Sequence, residues 1–210
     1  SANDCSSSVV TFQSGFINQG IGYAGGDSSY CMSPDSDIFS FGNGTTDSPF
    51  SLSLWVKINN VPNTRPNFIR KSGTSNMEWY FWFENTKVTC YLYSNGSTTV
   101  QKRGYKNYAI GDMVGVWTHV CMTYAGGSGV TNYPLVYINN DASSPLTIQV
   151  GTYVAMNNGS NNVSIGGKGG NSNYYLDGEV DEVAIFNKEL SASEVADLYN
   201  GGLAGTPIIG

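Results

Sequence analysis

Charge is what this chain has least of. Asp, Glu, Lys and Arg together make up 12% of its 210 residues, against 40% for the apolar types. Long surface helices need a densely charged solvent face, so this poverty, together with abundant Gly, Ser, Thr and Asn, predicts many short strands joined by turns. Basic residues are the scarcer sign, 10 against 16 acidic, for a formal charge of -6. The only adjacent basic pairs are Arg70-Lys71 and Lys102-Arg103. Nucleic acid is held by clustered cations that release counterions from phosphates, so it is excluded as a partner. No apolar run approaches the length of a bilayer span and no secretory leader pattern is present, so membrane insertion is not expected.

Histidine is nearly absent. The single one, His119, would have to serve any Ser-His-Asp or Cys-His arrangement, and its place in a strand-like run two residues after Trp117 reads instead as packing or hydrogen bonding between sheets. Four cysteines, Cys5, Cys31, Cys90 and Cys121, contain no C-x-x-C pair, which with one histidine argues against zinc. Four cysteines allow three pairings that sequence alone does not separate. The strand-like runs around Cys90 and Cys121 could neighbour each other, which suggests Cys90–Cys121 and Cys5–Cys31 in an extracellular protein; the alternative is four small buried hydrophobes. Phosphate-binding loops are missing too: Gly166-Gly167-Lys168-Gly169-Gly170 follows a strand but opens no helix.

What is present is period-two alternation. Phe50-Ser51-Leu52-Ser53-Leu54-Trp55-Val56-Lys57 puts Phe50, Leu52 and Leu54 on one face and Trp55 on the other. Further strands are predicted around Val9–Phe12, Phe68–Lys71, Trp79–Phe83, Val88–Tyr93, Trp117–Tyr124, Leu135–Asn140 and Val163–Gly167, with turn signals every 8 to 12 residues or so, as in antiparallel sandwiches. One helix is predicted after the last strand. Ser191 and Glu194 have capping-box spacing, Leu190 and Val195 can close a hydrophobic staple, and Gly201 is expected to end it.

Taken in order, these segments resemble a known family. The glycine-flanked opening, Tyr30 to Ser36 ending in Pro-Asp-Ser, the Trp-x-His-Val strand at 117–120, the Val-Tyr-Ile-Asn strand at 136–139 and the closing G-x-x-D-E-V-x-I-F-N-x-x-L-S-x-x-E-V-x-x-L-Y run from Gly178 are similar to laminin G-like, concanavalin A-like domains over about residues 14 to 202. The departure is Ala24, where that family usually carries Asp. The resemblance implies an all-β, two-sheet antiparallel sandwich with one short C-terminal helix, spanning residues 1–205, with 206–210 as a tail or linker. The start at Ser1 rather than Met suggests a processed or excised segment.

The function implied is recognition rather than catalysis. Retaining glucanases on this fold carry two carboxylates about 5 Å apart on one strand; here strict alternation from Glu179 gives Glu179, Asp181 and Val183, and a bulged strand gives Ala184, so the set is incomplete. Sugars are gripped by flat aromatics beside Asn, Asp or Gln. The candidates are Trp79, Trp82, Tyr105 and Tyr108, expected with Tyr91 and Tyr93 in the strands and loops that line one sheet and its rim, and a loop of Asn171, Asn173, Tyr174 and Tyr175. Calcium is the cofactor that the resemblance implies, with Asp27 and Asp181 as ligands; the competing reading has Asp181 fixing backbone N–H groups and Asp27 shaping a turn. The expected partner is a glycan or polysaccharide at an extracellular or cell surface. The alternative is an attachment or decoration role on a virion or surface assembly, with protein partners.

Overall fold

A computed structural model describes residues 10–25, 29–61, 65–73, 75–97, 99–129, 131–167 and 174–205. Two antiparallel sheets face each other. The six-stranded sheet has the order β1 (Val10–Ser14), β2 (Gln19–Ala24), β13 (Asp177–Phe186), β4 (Phe50–Ile58), β9 (Thr118–Tyr124), β10 (Leu135–Ile138). The seven-stranded sheet runs β11 (Leu146–Val150), β8 (Gln101–Asn107), β7 (Lys87–Gly96), β6 (Met77–Glu84), β5 (Asn67–Lys71), β12 (Val163–Ile165), β3 (Cys31–Ser33). Alternation places Phe50, Leu52, Leu54 and Val56 of β4 against Trp79, Phe81 and Phe83 of β6 and Val88, Cys90 and Leu92 of β7, and this is the core between the sheets. Trp55 points out of the sandwich, as the alternation predicts.

The helix α1 (Ala192–Leu203) lies on the outer face of the six-stranded sheet, where Leu190 and Val195 pack with Cys121 and Tyr137. Full burial of such a side chain contributes about 1.5–3 kcal/mol. Its start is the expected capping box: Ser191 N donates to Glu194 Oε2 at 2.8 Å and Glu194 N to Ser191 Oγ at 3.3 Å. Its end corrects the sequence reading. The helix continues through Gly201 to Leu203, and the left-handed residue that follows is Gly205, φ +69°. Gly202 serves packing instead. Trp55 is stacked between Phe16 (3.8 Å) and Tyr199 (5.6 Å), and a Cβ on Gly202 would stand 2.5 Å from its Nε1. A Gly202→Ala change improves helix propensity by about 1 kcal/mol at most, but overpacking a ring held on both faces costs about 1–3 kcal/mol. The variant is therefore expected to melt below the parent protein; a raised midpoint in thermal denaturation would contradict this packing.

The cysteine pairing is also corrected. Cys90 faces the core from the seven-stranded sheet, whereas Cys121 faces the helix from the far side of the six-stranded one, and both are free. Two strands that read as sequence neighbours belong to different sheets. Cys31 is disulfide-bonded; Cys5, the other end of the expected second pair, lies outside the described residues.

His119 is structural. Its ring sits 5.2 Å from Trp55 and 5.9 Å from Tyr199, with Nε2 2.9 Å from Ser53 Oγ, and burial pushes its pKa down to about 4. The folded value lies below the ordinary value of about 6.5, so between these two the unfolded chain takes the proton first and stability falls as pH is lowered from 6.5 to 4. A shift of this size corresponds to about 3 kcal/mol. A His119→Gln variant should lose that part of the pH dependence, measured as the difference between the two urea-denaturation curves across the window; parallel curves would contradict it.

Candidate functional site

The outer face of the seven-stranded sheet carries an aromatic cluster separate from the core. Tyr80 and Trp82 of β6 and Tyr91 and Tyr93 of β7 pack on one another, with Met77 and Tyr174 against them. Trp82 meets Tyr80 and Tyr91 edge-on at 5.7 and 5.3 Å and Tyr174 at 5.6 Å; Tyr80 and Tyr93 are 5.1 Å apart. The strands place these rings by simple alternation, since Trp79, Phe81 and Phe83 take the inward positions of β6.

Strand register then lines up a row. Arg70 of β5 is opposite Tyr80, Tyr80 opposite Tyr91, and Tyr91 opposite Arg103 of β8. Each guanidinium lies over its neighbouring ring, Arg70 Cζ 4.1 Å from the Tyr80 centroid and Arg103 Cζ 4.0 Å from that of Tyr91. In the adjacent row Asn67 is opposite Trp82, Trp82 opposite Thr89, and Thr89 opposite Tyr105. Arg65 stands 5.9 Å from the Trp82 ring and Lys87 Nζ 4.5 Å from that of Tyr105. The chain has three arginines, and all three are here.

Several polar atoms of this face lack a partner. Trp82 Nε1, Arg70 Nε, Arg103 Nε, Asn67 Oδ1 and Gln101 Oε1 are buried without a hydrogen bond among the described residues. Trp82 is 4% exposed and Arg70 1%. Buried polar groups are ordinarily satisfied, and each orphan calls for an explanation. The open part of the face is formed by Arg65, Arg103, Tyr105 and Tyr174, which are half-buried or exposed. The one carboxylate, Glu84, accepts the Tyr91 hydroxyl and sits 3.8 Å from Arg65.

Of the residues singled out in the sequence, the structure brings Trp82, Tyr91, Tyr93, Tyr105 and Tyr174 to this face. Trp79 is not among them: it is fully buried in the core, its indole N–H donating to Phe39 O at 3.0 Å. Tyr108 packs against the core, and Tyr175 is buried beside Gly167 and Tyr30. Asn171 and Asn173 lie outside the described residues. The three arginines were missed. For Arg70 and Arg103 the signal was in the two basic pairs, since alternation sends Lys71 and Lys102 to the inner side and Arg70 and Arg103 to the outer face; Arg65, alone before Pro66, had none.

Asp181 takes the backbone role. Its Oδ2 accepts Ile17 N at 2.7 Å and its Oδ1 accepts Glu182 N at 2.8 Å, which holds a bulge in β13 where Glu182 adopts φ +49°. Asp27 lies outside the described residues, and among the described ones no group of three His, Cys, Asp or Glu side chains could hold a metal. Glu179 is likewise engaged, by Lys57 at 2.7 Å.

These features define a family. The model of the concanavalin A-like lectin/glucanases superfamily, laminin G type, matches residues 25–196, and the chain belongs to that family. Among solved structures it is similar to the binding domain of botulinum neurotoxin serotype G (TM-score 0.63, 16% identity, covering 92% of this chain and 45% of that one). It is similar also to the binding domain of Paraclostridial Mosquitocidal Protein 1 (TM-score 0.65, 14% identity, 93% and 46%) and to the receptor binding domain of the botulinum neurotoxin C/D mosaic serotype (0.64, 15%, 98% and 50%). The chain thus spans half or less of each, and at these identities the likeness is one of fold. Comparison with curated proteins gives no match.

Proposed function

We propose that the protein is a non-catalytic recognition module that binds carbohydrate through the outer face of the seven-stranded sheet. The observation that carries this reading is the set of orphan donors and acceptors, Trp82 Nε1, Asn67 Oδ1 and Gln101 Oε1, set among aromatic rings. A pyranose offers hydroxyls to such atoms and apolar C–H faces to such rings. Catalysis is disfavoured because Glu179 is ion-paired and Asp181 serves the backbone. The disulfide at Cys31 supports an extracellular or surface location, since such bonds persist where the medium is oxidising. The binding domains that share the fold are consistent with a recognition role.

A glycan array probed with and without EDTA tests the proposal. Binding to a restricted set of glycans that survives EDTA is expected, because among the described residues no group of three His, Cys, Asp or Glu side chains could hold a cation. Failure to bind any glycan under either condition would sink it.

A further inference from the structure

We propose that the ligand of this face is an acidic glycan whose carboxylate or sulfate oxygens are taken by Arg70 and Arg103; this rests on the reading of the face as a glycan site. The argument comes from how the chain treats its buried cations. Lys71, turned inward, has Asp35 Oδ1 at 2.7 Å, Glu78 Oε1 at 2.5 Å and Gly159 O at 2.7 Å. Lys102, also inward, donates to Gly129 O (3.1 Å) and Asn132 O (2.9 Å) and lies over the rings of Tyr124 and Tyr153, with the Asp47 charge beyond ion-pair distance opposing the effect of its burial. Arg70 and Arg103 are their immediate sequence neighbours and have no carboxylate within ion-pair distance among the described residues.

Arg70 is the more telling. It is 1% exposed, and one nitrogen, Nη2, makes its hydrogen bonds, to Ser72 O (2.7 Å), Gly73 O (3.4 Å) and the Tyr80 hydroxyl (2.9 Å), all neutral groups. A guanidinium withdrawn from water without an anion is costly, and proteins remove that cost by pairing it. Burial accordingly pushes the Arg70 pKa down. In a chain with 16 acidic residues, three arginines share one aromatic face on which Glu84, paired with Arg65, is the one carboxylate named among the described residues, and this leaves a net positive patch on a protein of charge -6. That is charge complementarity toward an anion supplied from outside.

The spacing suits an extended ligand. Arg70 and Arg103 are three strands apart, about 14 Å between Cα atoms at the usual strand separation, with Tyr80 and Tyr91 between them. Acid groups on separate sugars of one oligosaccharide could reach both ends of the row, and each planar guanidinium can take two oxygens of a carboxylate or sulfate.

Isothermal titration with hexagalacturonate, a heparin hexasaccharide, neutral cellohexaose and hexaglutamate tests this, on the intact protein and on Arg103→Gln. Arg103→Gln gives up the guanidinium's stacking on Tyr91, a small contribution at a half-buried site, so the variant should melt within about 4 °C of the parent. The parent is expected to bind hexagalacturonate or the heparin fragment at least about tenfold more tightly than cellohexaose, with affinity falling steeply toward about 0.5 M salt. Arg103→Gln should lose about tenfold or more for the acidic glycan, in line with a charge-assisted pair, and nothing for cellohexaose. Preference for galacturonate over heparin assigns a carboxylate, the reverse a sulfate. Binding of cellohexaose as tight as that of both acidic glycans, unchanged in Arg103→Gln, would overturn the acidic ligand and leave the glycan site standing. Equal affinity for hexaglutamate would overturn the sugar component, and no binding to any glycan would overturn both.

Discussion

Replacing Asp47 by Ala is expected to destabilise the protein by about 3–5 kcal/mol, because three buried donors lose their charged acceptor at about 1–3 kcal/mol each before relaxation. Asp47 is 3% exposed and accepts from three groups in two parts of the fold, the end of β9 and the segment after β11. Its Oδ2 takes the hydroxyls of Tyr124 (2.8 Å) and Tyr153 (2.6 Å), and its Oδ1 takes Met156 N (2.8 Å). The rings of the same two tyrosines carry the Lys102 ammonium, 4.8 and 4.3 Å from their centroids. Burial pushes the Lys102 pKa down to about 8, with Asp47 opposing, and pushes the Asp47 carboxyl up against its hydrogen bonds and Lys102. Removing the carboxylate leaves two phenols and an amide without an acceptor and a buried ammonium without the opposing charge. The melting midpoint should drop by about 6–20 °C for a domain of this size. Asp47→Asn combined with Lys102→Met should recover part of the loss, since the stranded charge is gone from both sides; additive losses would show that the two residues do not act as a pair.

Trp82→Ala is expected to weaken glycan binding by at least about 30-fold, the loss typical of a buried tryptophan at the centre of a binding patch. Trp82 touches Tyr80, Tyr91 and Tyr174 at once, and its indole N–H is one of the orphan donors. Truncation removes the ring a sugar would cover and loosens the tyrosines around it. Because those contacts also support the sheet, Trp82→Phe is the control: it keeps an edge-to-face partner and removes the donor, so stability should stay near that of the parent while a smaller share of affinity is lost. Full affinity in Trp82→Ala would place the ligand elsewhere.

Much of the fold was legible because alternation and capping are local. The β4 pattern, the Ser191–Glu194 box and the staple all stand where the residues put them. Two strands were not legible. β8, Gln101–Asn107, is polar throughout, and its inward Lys102 reads as a surface residue until Asp47 and the tyrosine rings are seen to receive it. β11, Leu146–Val150, is an edge strand in a run of half-buried residues. Missing β8 hid Arg103 and with it the Arg–Tyr–Tyr–Arg row, which exists only through register across four strands. Trp79 and Trp82 looked equivalent in sequence. One strand position separates a core tryptophan from an outward one, and the spacing of three across a period of two already divides them.

The indole N–H resonances of the four tryptophans offer the most direct test of the central claim, that the ligand lies on the outer face of the seven-stranded sheet. In a titration with hexagalacturonate followed by ¹⁵N–¹H correlation spectra, the Trp82 indole signal should move progressively, while those of Trp79, bonded to Phe39 O in the core, and Trp55, stacked on the opposite sheet, stay in place. A stationary Trp82 signal, with shifts confined to Trp55 or Trp117 on the other face, would contradict the account.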